Sequence, residues 1–367
     1  MFSGQVPRYK GKNNVLFRRR HRPLIGLDIS STAVKLVELS GTREKMRVDA
    51  YAAVGLPPNC VVEKQVAEPE AVGDAIRRAV KLAGTRNKQA VAAVGGASVI
   101  TKVITMPAGL KDQEMEEQIR VEADQHIPYP LEDVGLDFEV LGPTEDEDSM
   151  VDVLLAACRA DDIESRVAAI ELGGLECRIM DIDAFALENA CQLLTHQMIN
   201  EGRDQTVAVI DIGATTTTMN VLHDGKIVYT RDQAFGGKQL TEDIMNHYGL
   251  SFEEAGKAKK QGGLPDNYES EILKPFTGDT IQQINRALQF FFSSNSDIDR
   301  VDQILLAGGC ANIEGLERSV QDELEIPAEI AAPFAAMNIA ARAKPKQLKA
   351  DGPALMAACG LSMRSFD

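Results

Sequence analysis

Apolar and polar positions fall into short alternating blocks along this chain, and one block is written twice. Leu24–Gly41 reads LIGLDISSTAVKLVELSG, and Val207–Gly225 reads VAVIDIGATTTTMNVLHDG. Each is an apolar run ending in Asp-Ile, a patch of small residues rich in hydroxyls, a second apolar run and a glycine-bearing turn. Apolar runs of this length bounded by turn residues predict two-stranded hairpins. Asp28 and Asp211 hold equivalent places in the two copies.

Elsewhere the pattern alternates between strand and helix, which predicts α/β layers. KMRVDAYAAVGLP is a strand running into a Pro-Pro turn. EPEAVGDAIRRAVKLAG is a helix with Val72, Ile76, Ala79 and Val80 on one face and Gly84 as its stop. Residues 97–176 predict a compact β-α-β-β-α unit. Its first helix turns Met115, Ile119 and Ala123 to one side, and its strands are joined by the acidic loop PTEDEDS. Its closing helix carries Ile163, Val167 and Ile170 inward, with Gly173-Gly174 as a cap. The strand CRIMDIDAF and the helix LENACQLLTHQ follow. NEGRDQ, Asn200 to Gln205, is a polar hinge directly before the second hairpin. QILLAGGCANIEGLERSV gives a buried strand, a Gly-Gly turn and a helix, and an apolar helix follows Pro353.

The 367 residues suffice for two or more domains, and 44 % apolar with 26 % charged is ordinary for a soluble globular protein. No apolar run reaches the length of a membrane span, and no secretory signal is visible at the N-terminus. A net charge of −16 argues against a general nucleic-acid binder. The exception is the basic stretch Pro7–Pro23, which is either a solvated leader or a contact for anionic lipid. The six cysteines show no CxxC spacing and the five histidines no zinc pattern, so the thiols are expected to be buried and reduced.

A carboxylate at the end of a buried strand, followed by small residues, lies beside backbone N–H groups that can cradle a phosphate. The carboxylate can hold a hydrated Mg²⁺ that bridges to the phosphate oxygens, because Mg²⁺ keeps several waters and needs few carboxylates. Two such hairpins on two domains would grip one polyphosphate, with Asp28 and Asp211 serving the metal through water. A single Asp of this kind is equally a turn cap; two matched copies favour the phosphate. GGKQLTED at Gly236 lacks the spacer of a P-loop, as does GGASVITK.

With these residues in view, the chain resembles the actin-like ATPase superfamily. The two hairpins and ILLAGGCANIEGL correspond to its two phosphate motifs and its adenosine motif. EADQHIPYPLEDV, VDVLLAACR, FGGKQLTEDI, EEAGKAKKQGGLP and the ending ACGLSMRSFD are similar to the PilM family of type IV pilus assembly components. The resemblance implies an α/β actin-like ATPase fold of two duplicated domains, 1A (24–96 and 177–204, with the C-terminal helix 353–367) and 2A (205–236 and 276–352). Subdomains 1C (97–176, as in the cell-division protein FtsA) and 2B (237–275) are inserted, and a flexible basic segment occupies 1–23.

The same resemblance implies ATP or ADP with Mg²⁺ as ligand. Ser30, Ser31, Thr32 and Lys35 would meet phosphates from the first hairpin, and Gly213, Ala214 and Thr215 from the second. Gly308 and Gly309 would pass under the adenosine. Gly237, Lys238, Glu254 and Lys257 would line the adenine and ribose side, although taken alone each of the two lysines is more often a solvated surface residue. Asp183 is open to two assignments, a group positioning water for hydrolysis or a helix N-cap.

As partner the resemblance implies the N-terminal cytoplasmic tail of the inner-membrane protein PilN, bound in a groove between 1A and 1C. Ile119, Ile127 and Tyr129 are its candidate apolar contacts, and core packing is the other role for Ile119. PilO and PilP would be reached indirectly, pilus motor or platform proteins and self-association are further expectations, and the location would be the cytoplasmic face of the inner membrane. The alternative is a kinase of the same superfold acting on a small hydroxylated or carboxylated substrate, which needs an additional acidic base facing its acceptor.

Overall fold

The structure is a computed structural model that describes residues 23–144, 149–295 and 298–367. The lipid expectation for the basic stretch and most of the acidic loop after Pro143 lie outside the described residues. Two compact units are present. One takes the described residues up to Glu44, then Asp49–Ala186 and Leu361–Asp367; the other takes Lys45–Val48 and Leu187–Gly360.

The first unit begins with β1 (Ile25–Ile29), β2 (Ala33–Thr42) and β3 (Lys45–Gly55), whose first residues group with the second unit. The two-residue strands β4 (Val61–Val62) and β5 (Gln65–Val66) lead to α1 (Pro69–Ala83) and β6 (Gln89–Val94). Next come β7 (Val99–Pro107), α2 (Asp112–His126), β8 (Val134–Pro143), β9 (Met150–Arg159), α3 (Ala160–Leu172) and β10 (Glu176–Ile182). α4 (Asp183–Cys191) then carries the chain into the second unit. The main sheet runs β10-β6-β1-β2-β3, with the two-residue strand Asn338–Ile339 at its edge beside β3, and β1 is antiparallel to β2 and parallel to β6. β1 is central, so Ile25, Leu27 and Ile29 are all buried, each side chain contributing about 1.5–3 kcal/mol. Helix α1 forms where the spacing predicts. Pro69 begins it, Val72, Ile76, Ala79 and Val80 are buried, and Gly84 ends it at φ 65°.

β7, β9 and β8 make a separate antiparallel sheet in that order, against which α2 packs Met115, Ile119 and Ala123. β9 is buried on both faces. Val153, Leu155 and Ala157 face the α2 core, while Ala156 and Cys158 belong to the main-sheet core. Helix α3 departs from expectation. Its Ile163, Val167 and Ile170 pack into the main-sheet core, which Ala156 and Cys158 of β9 share, rather than into the α2 core. Glycine at 73 permits this, because a Cβ there would lie 2.6 Å from Leu172 Cβ.

The second unit repeats the plan. β11 (Thr206–Ile212), β12 (Thr217–His223) and β13 (Lys226–Gln233) precede α5 (Gly237–Tyr248), α6 (Phe252–Gln261) and α7 (Lys274–Ser294). They are followed by β14 (Gln303–Ala307), α8 (Leu316–Leu324), β15 (Ala328–Ile330), β16 (Asn338–Ile339), α9 (Pro345–Asp351) and α10 (Met356–Met363). Its sheet runs β15-β14-β11-β12-β13, the same order as β10-β6-β1-β2-β3. β11 is antiparallel to β12 and parallel to β14, as β1 is to β2 and β6. The doubled sequence pattern is therefore a doubled sheet. The hinge at Asn200–Gln205 holds Asn200, Glu201 and Asp204 at positive φ. α10 returns the chain to the first unit, where the Ser362 and Ser365 hydroxyls accept from the Leu39 and Leu24 amides.

Candidate functional site

The two hairpins close in the same way. The Ser30 amide donates to the Ala33 carbonyl at 3.0 Å, and the Gly213 amide donates to the Thr216 carbonyl at 3.0 Å. Both amides are thus used within their turns, and the Ser30 hydroxyl also donates to Ala33 O at 2.9 Å. Gly213 is a glycine because a Cβ would stand 2.8 Å from Thr216 O. The cross-strand partners of the aspartates sit at the same offset, Lys35 opposite Asp28 and Thr218 opposite Asp211.

In the first unit, Lys35 Nζ holds Asp28 Oδ2 at 3.0 Å, so this lysine neutralises the aspartate. Asp183, the first residue of α4, joins them, with its Oδ2 3.4 Å from Lys64 Nζ. Burial pushes the Asp183 carboxyl above the usual range; Lys64 and then Arg166 oppose this, and the Asp28 charge adds to it. Arg166 of α3 is 3 % exposed and donates to the carbonyls of Ile29, at 3.3 Å, and Lys64. Gly95 allows the close approach, since a Cβ there would lie 2.7 Å from Asp183 Cγ. Three cations (Lys35, Lys64, Arg166) thus surround two carboxylates, which suits an anion. Sequence reasoning placed Asp28, Ser30, Ser31, Thr32, Lys35 and Asp183 near this point and missed Lys64 and Arg166.

In the second unit, the N-terminus of α5 docks on the hairpin. The Gly237 amide donates to Gly213 O at 3.0 Å, and the Lys238 amide to Ala214 O at 2.7 Å. A Cβ on Gly236 would lie 2.7 Å from both Ala214 O and Gly213 O, so only glycine fits there. Lys259 of α6 reaches in, donating to Gly237 O at 2.7 Å and Thr241 Oγ1 at 2.8 Å, and burial lowers its pKa. Cys310 Sγ lies 3.7 Å from Gly213 O, and burial raises its pKa. Gly308 has φ +86° and packs on the backbone of Ile212, whereas a Cβ on Gly309 would meet nothing within 4 Å.

Three expected nucleotide contacts on this side are engaged elsewhere or exposed. Glu254 closes a capping box at the start of α6, its Oε2 accepting from the Ser251 amide at 2.9 Å and hydroxyl at 2.6 Å. The Ser251 hydroxyl bond lowers its pKa. The Lys238 ammonium is on the surface, 3.7 Å from Glu242. Lys257 is exposed, because on α6 the buried Ala255 shares its face with residue 259. That i,i+4 spacing is the signal that separates Lys259 from Lys257.

Of the three expected peptide contacts, Ile119 and Ile127 are 1 % and 6 % exposed and belong to the α2 core. Tyr129 is half-buried with the Arg159 guanidinium over its ring, 5.9 Å from the centroid. Five of the six free cysteines are buried and Cys177 is half-buried; burial pushes Cys191 up to about 12 and Cys158 and Cys177 up to about 11. Among the described residues no helix is long and apolar enough to cross a membrane.

Each of these two clusters suits a Mg²⁺–nucleotide on its donor chemistry. Each presents one strand-end aspartate, which fits a magnesium that keeps its waters, beside a tight hairpin and a cation close to it.

Among solved structures, the chain resembles one described as the PilM-PilN type IV pilus biogenesis complex, with a TM-score of 0.77 and 30 % identity over 95 % of this chain and 99 % of that one. Ethanolamine utilization protein EutJ from Carboxydothermus hydrogenoformans shares the fold, with a TM-score of 0.53 and 18 % identity over 93 % and 89 % of the two chains. Cell division protein FtsA of Bacillus subtilis (strain 168) is 25 % identical, covering 84 % of this chain and 78 % of that protein. The fold is that of the actin-like ATPases. The model of the family described as type IV pilus assembly protein PilM matches residues 26–366, and the chain belongs to that family.

Proposed function

We propose that the chain is an ATP-binding adaptor of the type IV pilus assembly machinery that binds the N-terminal cytoplasmic tail of PilN, with nucleotide state modulating that binding. The likeness to the chain in the PilM–PilN complex, over nearly the full length of both, carries the partner half of this reading. The matched hairpins with equal turn-closing bonds support the nucleotide half. In this reading Asp28 and Asp211 both serve one Mg²⁺–ATP, through water. Ser31, Thr32, Ala214 and Thr215 lie against its phosphates, and Gly309 lies beside the adenosine. Through PilN the chain works at the cytoplasmic face of the inner membrane, and PilO and PilP are reached by the same route.

The small β7-β9-β8 sheet and its α2 flank the tail-binding groove, and Tyr129 supplies its aromatic contact. Aromatic side chains with an exposed face and a fixed ring are efficient anchors for a peptide. The test is fluorescence anisotropy of a labelled synthetic PilN tail on the full chain. Tyr129→Ala weakens binding about tenfold, and saturating Mg²⁺–ATP shifts the affinity of the unsubstituted chain about fivefold or more. A tail that binds no form of the protein sinks the partner half; an affinity indifferent to ATP sinks the modulation.

A further inference from the structure

The turn between β4 and β5 is unusual for its length. A two-residue hairpin of this hand asks for positive φ at both central positions, and Asn-Gly is the ordinary solution. Here the two positions are Glu63 at φ 50° and Lys64 at φ 66°. Neither residue favours that backbone, so something outside the turn holds it. Arg166 is that support. Its buried guanidinium bonds the Lys64 carbonyl with one nitrogen and the Ile29 carbonyl, one residue after Asp28, with another.

The same support fixes where the lysine can reach. One guanidinium ties the turn to the first hairpin through the Lys64 and Ile29 carbonyls, and the Lys64 and Asp28 charges both act on Asp183. The glycine pair after β6 clears the space: Cβ atoms at Gly95 and Gly96 would lie 3.1 Å from Lys64 Cδ and from Glu63 O. The ammonium lies 3.4 Å from Asp183, a distance longer than a good charge-assisted bond, and the lysine side chain keeps 28 % of its surface. An ammonium paired with a carboxylate and partly open to solvent can pass to a more strongly charged anion.

We propose that Lys64 is the residue by which the first unit recognises the terminal phosphate of a nucleoside triphosphate, exchanging Asp183 for that phosphate. The proposal rests on the nucleotide reading given above. Diphosphate lacks the group that Lys64 contacts, so the lysine makes the site prefer triphosphate. Arg166 acts as a positioning residue that holds the strained turn in place.

Binding of fluorescent ATP and ADP, with Mg²⁺, to the full-length chain tests this. Lys64→Met lowers ATP affinity about tenfold or more, the loss expected for one hydrogen bond to a charged group, and leaves ADP affinity within about twofold. Lys64→Arg keeps most of the preference. The double substitution Glu63→Asn with Lys64→Gly guards against misfolding: it supplies the favoured turn, raises the melting temperature and still loses the ATP preference. Equal weakening of both nucleotides, or an unchanged ATP preference in Lys64→Met, overturns the proposal. If Asp211→Ala abolishes ATP binding while Lys64→Met does not, the assignment of Lys64 fails and the nucleotide reading stands. If the unsubstituted chain binds neither nucleotide, both fall.

Discussion

Gly308 and Gly309 are neighbours in one turn, and alanine at each should have opposite consequences. At 308 the backbone has φ +86° and a new Cβ would lie 2.6 Å from Ile212 N, against backbone that cannot swing aside. The left-handed conformation costs about 1–2 kcal/mol with a Cβ present, and overpacking costs about 1–3 kcal/mol. Gly308→Ala therefore loses about 2–5 kcal/mol of stability, a melting temperature lower by about 5 °C or more for a unit of this size. At 309 a Cβ would meet nothing within 4 Å, and φ is not left-handed. Gly309→Ala should be neutral or stabilising by up to about 1 kcal/mol, through the unfolded chain. The same methyl would stand in the space assigned to the adenosine, at a cost of about 1–3 kcal/mol or roughly fivefold to hundredfold in ATP affinity. Differential scanning fluorimetry reads the first quantity and nucleotide titration the second. A Gly309→Ala protein that melts normally and binds ATP with full affinity refutes the placement of the adenosine.

Two further outcomes follow from the carboxylates Asp183 and Asp181. The Asp183 carboxyl has a folded-state pKa above its unfolded value, so its stabilising contribution is present below about pH 3.9 and is lost as pH rises through the folded value. Asp183→Asn removes that slope, and its stability relative to the unsubstituted chain should rise from pH 4 to 7 in urea titrations; parallel curves would contradict the burial. Arg364 Nε lies 3.2 Å from the fully buried Asp181, so Arg364→Met strands a carboxylate and should cost about 3–5 kcal/mol in the same assay. A loss below about 1 kcal/mol there, or one no larger than that of Asp181→Asn, would show that the pair is not a structural anchor.

The hairpins are legible in sequence because strand, turn and strand are local, and each copy repeats the same order of apolar, acidic and small residues. Helices α1 and α2 are legible for the same reason: their faces show as a 3.6-residue spacing. What a face packs against is not local. Ile163, Val167 and Ile170 mark one side of α3 in the sequence, but that they join the main-sheet core, with Gly73 of α1 close against Leu172, does not show there. Ile127 reads as a candidate contact until its burial beneath the small sheet is known. The charged cluster of the first unit is hidden for a related reason. Lys64 sits on a turn between two-residue strands with no Asn-Gly signal, and Arg166 lies on a helix about a hundred positions further on. Lys259 was within reach, since its spacing from Ala255 sets it on the inner face of α6 while Lys257 points to water.

The measurement that bears most directly on the whole account is calorimetric titration of Mg²⁺–ATP into the full-length chain, alone and with Asp28→Ala or Asp211→Ala. The proposal that both strand-end carboxylates serve one nucleotide predicts saturable binding at one site per chain, weakened about tenfold or more by either substitution. Absence of binding to the unsubstituted chain, or full-strength binding to both variants, would contradict it.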